Sequence, residues 1–436
     1  MEKKLTDIWG LKEISISKKK NDIAWAFPTV GNNVELVRTQ LNAWKKQFTQ
    51  SDIVIVATNA KLLLPLLREF NGPISILERM CDTGAAGGFY SAQKWAFDRG
   101  YTKIMITDDD AVPITDNVIA SLSSAIDTKG VMVAQATHHF YGKPGYKIKD
   151  YPEGNVAMCT MLDRSVFEQI GFSYAPYYMF WEDMEFGYRI GKAKIKCLIV
   201  DNALFDHPRP KIRPIPCLYY VIRNQLFYYL YQEPNFFRFL NSALLGYSLK
   251  KYFRQTGYRN YEALINSALG DAMHARLLKK EIPWDYPEES REFVFSRPVM
   301  DLDSASSKLL EKIKKDMRGK MNLLNGDITA FDKSPIKRVF RFFRRFNRNI
   351  VILNEVAFLN YLFAKKFVLF HEPTGKFYYY AENSIFQIVS NIFSVMFFMA
   401  LTSLKFLFYS LRYRFTGRNR YENKRFGIAQ RSHQKS

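Results

Sequence analysis

The first 215 residues alternate short runs of strand-forming apolar residues with segments of helical spacing, and this alternation limits the fold more than any other feature. Four runs are predicted strands, at residues 23–30, 52–58, 73–77 and 103–107. The apolar residues of the intervening segments 35–47, 62–70 and 88–98 have helical spacing, which predicts helices there. Strands separated by helices indicate an α/β fold with a mostly parallel sheet, in which ligands bind beyond the carboxyl ends of the strands.

Composition excludes several other classes of protein. Of the 436 residues, 47% are apolar and 24% charged, which excludes a disordered or collagen-like chain. The four cysteines have no CxxC spacing, so we expect neither a disulfide framework nor a cysteine zinc site. The first twenty residues lack an apolar core, and we therefore expect no secretory signal.

Positive charge is concentrated at the end of the chain. The formal net charge is +21, and residues 330–436 carry +14 of it. This shift in composition predicts a domain boundary near 325–335, and with it three regions, 1–215, 216–329 and 330–436. An excess of this size points to a polyanionic partner, either nucleic acid or anionic lipid.

Three adjacent carboxylates, Asp108, Asp109 and Asp110, directly follow the predicted strand 103–107. They repel one another, and a divalent cation would neutralise them. Carboxylate oxygens suit Mg²⁺ or Mn²⁺, which commonly bridge to substrate phosphates. The alternative is a solvated acidic turn, which the position directly after a buried strand disfavours.

A glycine-rich stretch, residues 82–88, opens the predicted helix 88–98 and includes Gly87. Glycines allow a ligand to approach the backbone, and N–H groups at a helix start attract phosphate. Neither GxxxxGK[ST] nor GxGxxG is present, and a packing role is the alternative. Arg79 precedes the stretch and is placed either to meet a diphosphate or to pair with a neighbouring acid.

Two later segments carry further titratable groups. Trp181 precedes the acids Glu182 and Asp183, and a carboxylate beside aromatic rings is a better proton acceptor near neutral pH. The alternative is a helix start at which both acids favour the macrodipole. His207 follows a predicted strand near 196–200 and is a candidate metal ligand.

Taken in order, these segments resemble glycosyltransferase family 2, whose members have the GT-A fold. The matching elements lie between residues 22 and 225 and are FPTVGNN, DTGAAGGFYSAQKWAFDRG, DDDAVP, WEDMEFGYRIG and FDHP. The pattern is most similar to galactofuranosyltransferases, followed by rhamnosyltransferases, of bacterial polysaccharide synthesis. At Ala57-Thr58-Asn59 the sequence departs from members that carry an acidic residue contacting uracil, which leaves the donor's base open.

The resemblance implies a role for each matching residue. Asp108 and Asp110 fall on the DxD motif and His207 on a third ligand position, so these three would hold Mn²⁺ or Mg²⁺. Asp183 falls on the second acid of the family's "ED" pair, the general base, with Glu182 beside it. The residues expected to contact the nucleotide-sugar donor are Thr29, Arg79, Gly87, Asp109 and Trp181.

The activity implied by the resemblance is a metal-dependent inverting transfer of a sugar to a lipid-linked glycan at the cytoplasmic membrane face. UDP-galactofuranose is the leading donor. A rhamnosyltransferase or another hexosyltransferase is the first alternative. The alternative from another class is a basic nucleic-acid-binding protein whose acidic motifs are structural.

The second half of the chain predicts helices over residues 216–325, followed by a membrane-associating region. Residues 337–348 interleave cations with phenylalanines, which suits either single-stranded nucleic acid or an anionic membrane surface; we favour the membrane. Residues 383–404 carry no charge, but Ser384, Asn391 and Thr402 belong to a polar stripe at helical spacing. This stripe predicts a peripheral or monotopic helix, with a true span as the alternative.

Overall fold

The computed structural model describes residues 10–70, 72–138, 159–207, 215–255, 259–277, 280, 351–353, 366–371, 376–382 and 385–416. These residues form two compact units. The first consists mainly of the described residues up to 207, and the second mainly of those in 215–276 and 351–414. The predicted boundary near 325–335 and the basic segment 337–348 lie outside the described residues.

A mixed sheet of nine strands forms the centre of the first unit, within the described part of the chain. Its strands are β1 (Leu11–Ser15), β2 (Ile23–Thr29), β3 (Asp52–Ala57), β4 (Ile74–Arg79), β5 (Lys103–Ile106), β6 (Val112–Pro113), β7 (Val131–His138), β8 (Thr160–Asp163) and β9 (Lys196–Asp206). Their order across the sheet is β1-β4-β3-β2-β5-β8-β7-β9-β6. The strands β2 to β5 are parallel, as are β7 and β9, whereas β1, β6 and β8 run antiparallel to their neighbours. The predicted mostly parallel α/β sheet is confirmed.

Helices connect the strands of this unit. They are α1 (Val34–Trp44), α2 (Leu66–Glu69), α3 (Gly84–Asp98), α4 (Val118–Ile126), α5 (Arg164–Ile170) and α6 (Glu182–Lys192). The helices predicted over 35–47 and 88–98 are confirmed by α1 and α3. The single helix predicted over 62–70 is wrong: a 3₁₀ turn, Ala60–Leu63, precedes the short helix α2. Pro65 lies between them, and a proline inside a helix removes a backbone hydrogen bond.

Both faces of the central strands are buried, which explains their continuous apolar sequences. In β2, Trp25 and Phe27 pack into a core on one face of the sheet, while Ala24 and Ala26 pack into a second core on the other. Helices α1 and α4 cover the first face, and α3, α5 and α6 cover the second. Successive side chains of a strand point to opposite faces, so a strand between two helical layers has no polar face.

In its described residues, the second unit begins with three helices, followed by a separate sheet. The helices are α7 (Ile215–Phe227), α8 (Phe236–Gln255) and α9 (Arg259–Met273), and a π-helical turn, Tyr228–Gln232, follows α7. The helices predicted over residues 216–325 are confirmed as far as Met273, whereas residues 281–325 of that range lie outside the described residues. Strands β10 (Val351–Leu353), β11 (Lys366–His371) and β12 (Lys376–Glu382) form the sheet.

The long helix α10 (Ile385–Thr416) also belongs to the second unit. Among the described residues, Val389–Leu411 form one helical stretch that is long enough and apolar enough to cross a membrane, judged by length and composition alone. Such a helix is compatible with peripheral membrane association. The predicted polar stripe does not face outward: Asn391 and Thr402 are buried in the protein.

The start of α3 packs tightly against the sheet, and this contact generates a stability prediction. A Cβ atom added at Gly88 would lie 2.3 Å from Cβ of Pro28 in β2. We therefore expect Gly88→Ala to lower the free energy of unfolding by about 1–3 kcal/mol. Gly270 in α9 is the matched control, because a Cβ there meets nothing within 4 Å. Thermal unfolding of both variants is the measurement. A Gly88→Ala variant as stable as Gly270→Ala contradicts the close packing.

Candidate active site

The acidic loop after β5 is held by donors from two neighbouring elements. The indole Nε1 of Trp25 donates to Oγ1 of the buried Thr107 at 2.9 Å. From α1, Nε2 of Gln40 donates to the backbone carbonyl of Asp108 at 2.6 Å, and Nε1 of Trp44 donates to that of Ala111 at 2.9 Å. Because Gln40 and Trp44 lie four residues apart on one helix face, α1 fixes both sides of the loop.

Asp108, Asp110 and His207 meet at one point. Nε2 of His207 lies 3.3 Å from Oδ2 of Asp108 and 3.0 Å from Oδ1 of Asp110. The sheet explains how residues a hundred positions apart meet. Val112 of β6, directly after the acidic loop, pairs with Asp206 of β9, so His207 lies beside the loop.

These three side chains fit a divalent cation. One potential ligand atom from each lies within 4.8 Å of the other two. In an octahedral site, ligand atoms about 2.1 Å from the metal and at right angles to each other are about 3 Å apart. The two distances to His207 match this separation. Two carboxylates and one imidazole suit Mg²⁺ or Mn²⁺, which would also accept oxygens from a substrate phosphate.

The protonation of His207 follows from the same contacts. Burial lowers the pKa of the imidazole, but the hydrogen bonds and charges of Asp108 and Asp110 outweigh burial and raise that pKa to about 10. The imidazolium offsets part of the repulsion between the two carboxylates. A cation bound to the same atoms would displace this proton, because a metal binds the neutral imidazole.

Asp109 is directed toward a different partner from its two neighbours. Its Oδ2 accepts a hydrogen bond of 2.6 Å from Oγ1 of Thr29 at the end of β2. Burial raises the pKa of Asp109 to about 6, and the charges of Asp110 and Asp108 add to the rise, against the bond from Thr29. The structure thus brings Thr29 and Asp109 together, beside the cation site.

The acids Glu182 and Asp183 form the first turn of α6, where the helix macrodipole favours negative charge. Burial raises the pKa of Glu182 well above its usual value, and the charges of Asp183 and Asp108 contribute. Oδ1 of Asp183 accepts a hydrogen bond of 2.7 Å from the backbone N–H of Met184.

Backbone strain accumulates directly before these acids. Tyr178, Phe180 and Trp181 have φ angles of 66°, 62° and 76°, in the left-handed region that bulky residues rarely adopt. Each such residue costs about 1–3 kcal/mol and persists only where the surrounding structure holds it in place. Trp181 is the N-cap residue of α6, so the strained segment determines where the helix begins and where Glu182 and Asp183 lie.

The glycine-rich stretch anchors this strained segment. The backbone N–H of Ala86, at the start of α3, donates to the carbonyl of Tyr178 at 3.0 Å. Gly84 has a φ of +65°, and a Cβ there would lie 2.0 Å from the same carbonyl oxygen. A Cβ at Gly87 would lie 2.3 Å from the Thr83 side chain. These contacts explain the glycines by packing, the alternative named from the sequence.

Arg79 is buried, and its hydrogen bonds stay within the protein. Its guanidinium donates to the carbonyl of Gly84 at 2.5 Å, to Oγ1 of Thr83 at 3.0 Å, to the carbonyl of Thr29 at 3.3 Å and to Oγ1 of Thr58 at 3.1 Å. Burial lowers the pKa of this group. Arg79 thereby ties the glycine-rich stretch to the ends of β2 and β3, whereas a contact with diphosphate stays a prediction.

Two groups near the cation site were not anticipated from the sequence. Gln40 donates a hydrogen bond to the backbone carbonyl of Asp108. Its four-residue spacing from Trp44, which places both side chains on one helix face, was the signal in the sequence. His138, the last residue of β7, has its ring centroid 6.3 Å from that of His207. No sequence motif marks His138. It lies there because β7 pairs with β9, with His138 opposite Phe205.

No family model and no curated protein matches the chain. Among solved structures, it is similar to the mannosyltransferase PcManGT from Pyrobaculum calidifontis in complex with GDP-Man and Mn²⁺, at 12% identity over 62% of this chain and 91% of that one, with a TM-score of 0.40. It is also similar to S. aureus TarS 1-349, at 16% identity over 60% of this chain and 81% of that one, with a TM-score of 0.37. A further structure of S. aureus TarS is similar at 15% identity over 58% of this chain and 49% of that one, with a TM-score of 0.36. At these scores, any functional assignment depends on the geometry of the site.

The geometry predicts metal binding that can be measured without substrate. We expect Mn²⁺ to raise the melting temperature of the protein, because a ligand that binds the folded state stabilises it, by about 2.7 kcal/mol at a hundred times Kd. Asp108→Asn or Asp110→Asn should abolish the shift, and His207→Ala should reduce it. Asp116→Asn, at an exposed ion pair with Lys46, is the control. A full Mn²⁺ shift in Asp110→Asn contradicts the assignment.

Proposed function

We propose that this protein is a metal-dependent inverting glycosyltransferase that uses a nucleotide-sugar donor. The observation that carries the proposal is the meeting of Asp108, Asp110 and His207 at one point after β5. The site lies beyond the carboxyl ends of parallel strands, where α/β sheets bind ligands. The ordered motifs that resemble glycosyltransferase family 2 support the same assignment.

The residues divide the chemistry between them. A cation on Asp108, Asp110 and His207 would neutralise the negative charge of the departing nucleoside diphosphate. Asp183 accepts the proton of an acceptor hydroxyl, whose oxygen forms a bond to the anomeric carbon as the bond from that carbon to the diphosphate oxygen breaks. Attack from the face opposite the leaving group inverts the anomeric centre. Glu182, whose pKa burial raises, lies beside this base in the first turn of α6.

The donor would lie along the ends of β2 and β5. Thr29 and Asp109 are joined there by their 2.6 Å hydrogen bond, which supports Asp109 as a contact for the ribose. Trp181 and Gly87 lie at the starts of α6 and α3, and are proposed to border the donor. Arg79 would act by holding the strand ends together. We propose UDP-galactofuranose as the donor, with a rhamnosyl or other hexosyl donor as the alternative.

The acceptor is proposed to be a lipid-linked glycan at the cytoplasmic face of the membrane. The support is the resemblance to polysaccharide enzymes, together with the apolar helix α10 and the positive charge of residues 330–436. An enzyme held at a membrane meets a membrane-bound acceptor at a higher local concentration.

Screening nucleotide sugars tests the activity. UDP-galactofuranose, UDP-hexoses, dTDP-rhamnose and GDP-mannose are each incubated with the full chain and Mn²⁺, and nucleotide release is followed. We expect release with one donor class and none after EDTA treatment. Release that EDTA leaves unchanged contradicts the metal assignment. No release with any donor, together with salt-dependent binding of RNA or DNA, favours the nucleic-acid alternative.

The role of Asp183 is tested by a substitution that removes proton acceptance and keeps the shape of the side chain. We expect Asp183→Asn to lower the transfer rate by about 10²–10⁴-fold while donor affinity stays close to that of the wild type. Glu182→Gln is the matched control, because it makes the same carboxyl-to-amide change at the neighbouring acid, and it should have the smaller effect. Activity retained in Asp183→Asn and lost in Glu182→Gln would move the role of base to Glu182.

A further inference from the structure

We infer that α10 lies in the plane of an anionic membrane surface, with its outward face in the lipid, and does not cross the bilayer. This inference concerns the second unit only. It does not depend on the proposed function, because vesicle binding and nucleotide release are measured separately.

The outward face of α10 is a stripe of large apolar side chains, which we call the lipid stripe. Each of its ten members is at least 41% exposed, and they recur every three or four residues. They are Phe386, Val389, Phe393, Met396, Phe397, Leu401, Leu404, Leu407, Phe408 and Leu411. This spacing places them on one face over a length of about 38 Å. A contiguous exposed apolar surface of this extent marks an interaction site.

The inner face of α10 carries the polar side chains and packs against α8. Asn391 is 8% exposed and Thr402 2% exposed. The ring centroids of Tyr247 in α8 and Phe398 in α10 are 4.3 Å apart. The inner face therefore combines buried polar side chains with the rings of Phe398 and Phe406, while the outward face is apolar. On the surface of a water-soluble protein, the outward face of a helix is instead polar.

The cations of α8 decide between a helix in the membrane plane and one that spans it. Phe239 contacts Phe406, and Tyr247 contacts Phe398, so α8 runs antiparallel along α10. Four cationic side chains lie on α8: Arg238, Lys250, Lys251 and Arg254. If α10 crossed the bilayer, α8 would enter the hydrocarbon beside it with these charges, which is costly. With α10 in the membrane plane, the lipid stripe enters the bilayer while α8 remains in the headgroup region or in water.

Charge identifies lipid as the occupant of the stripe. The helix α10 has no acidic residue, and Lys405, Arg412 and Arg414 lie on it, with more cations following to residue 425. Cations beside an apolar face suit anionic headgroups. A second copy of this chain would bring the same positive charges together, and these would repel.

Binding to vesicles tests the occupant. The full chain is mixed with phosphatidylcholine vesicles, with or without phosphatidylglycerol, at low and high salt. We expect binding that increases with phosphatidylglycerol and weakens with salt. The double variant Phe393→Ser, Phe397→Ser should bind at least about tenfold more weakly. Leu62→Ser, at an exposed leucine of the first unit, is the control. Unchanged binding by the double variant overturns the inference, as does self-association through α10 without vesicle binding.

Depth measurements test the orientation. Single cysteines replace Phe386, Phe397 or Phe408 in a background without the native cysteines, and each is spin-labelled on vesicle-bound protein. Accessibility to oxygen and to a water-soluble relaxant then gives the depth of each label. We expect all three labels at a similar shallow depth, and a label at Leu62 in water. A label at residue 397 near the bilayer centre, with 386 and 408 near opposite surfaces, would show that α10 spans the membrane and would overturn the inference.

Discussion

The mutual repulsion of Asp108 and Asp110 is the constraint on which the site depends. Two carboxylates directed to one point need a positive partner, and His207 supplies one at 3.0–3.3 Å. The pairing of β6 with β9 brings the imidazole there, while Gln40 and Trp44 hold the backbone of the loop. A divalent cation bound to Asp108 and Asp110 would neutralise the same repulsion that the imidazolium of His207 offsets. The stability of the loop and its chemistry therefore have a common origin.

A second constraint is the strained segment before α6. Residues with positive φ at Tyr178, Phe180 and Trp181 need external support, which comes from the start of α3. The glycine-rich stretch is therefore linked to the acids Glu182 and Asp183 through backbone contacts. The sequence predicted phosphate binding at this stretch. In the structure, the Ala86 N–H group donates to the carbonyl of Tyr178, and the missing Cβ at Gly84 leaves room for that carbonyl.

The polar stripe of α10 shows how one sequence pattern admits two structures. Helical spacing of Asn391, Ser394 and Thr402 indicates one polar face and one apolar face, but it does not say which face meets the protein. In the structure, Asn391 and Thr402 of the polar face are buried against the protein. The spacing in the sequence predicted an interfacial helix with its polar face turned to water. In the structure, the cations of α8, which is far from α10 in sequence, are what disfavours a span.

The amino-acid sequence by itself determined the mostly parallel sheet, because buried strands and amphipathic helices are local patterns with fixed periods. It also determined the position of Asp108, Asp109 and Asp110 at a strand end, since that position follows from the preceding apolar run. Only the tertiary structure decided which residues meet these acids. The antiparallel pairing of β6 with β9 selects His207, and the parallel pairing of β7 with β9 places His138 near it, although their sequence separations carry no periodic signal. Contacts between distant segments depend on strand order and register, which local patterns do not specify.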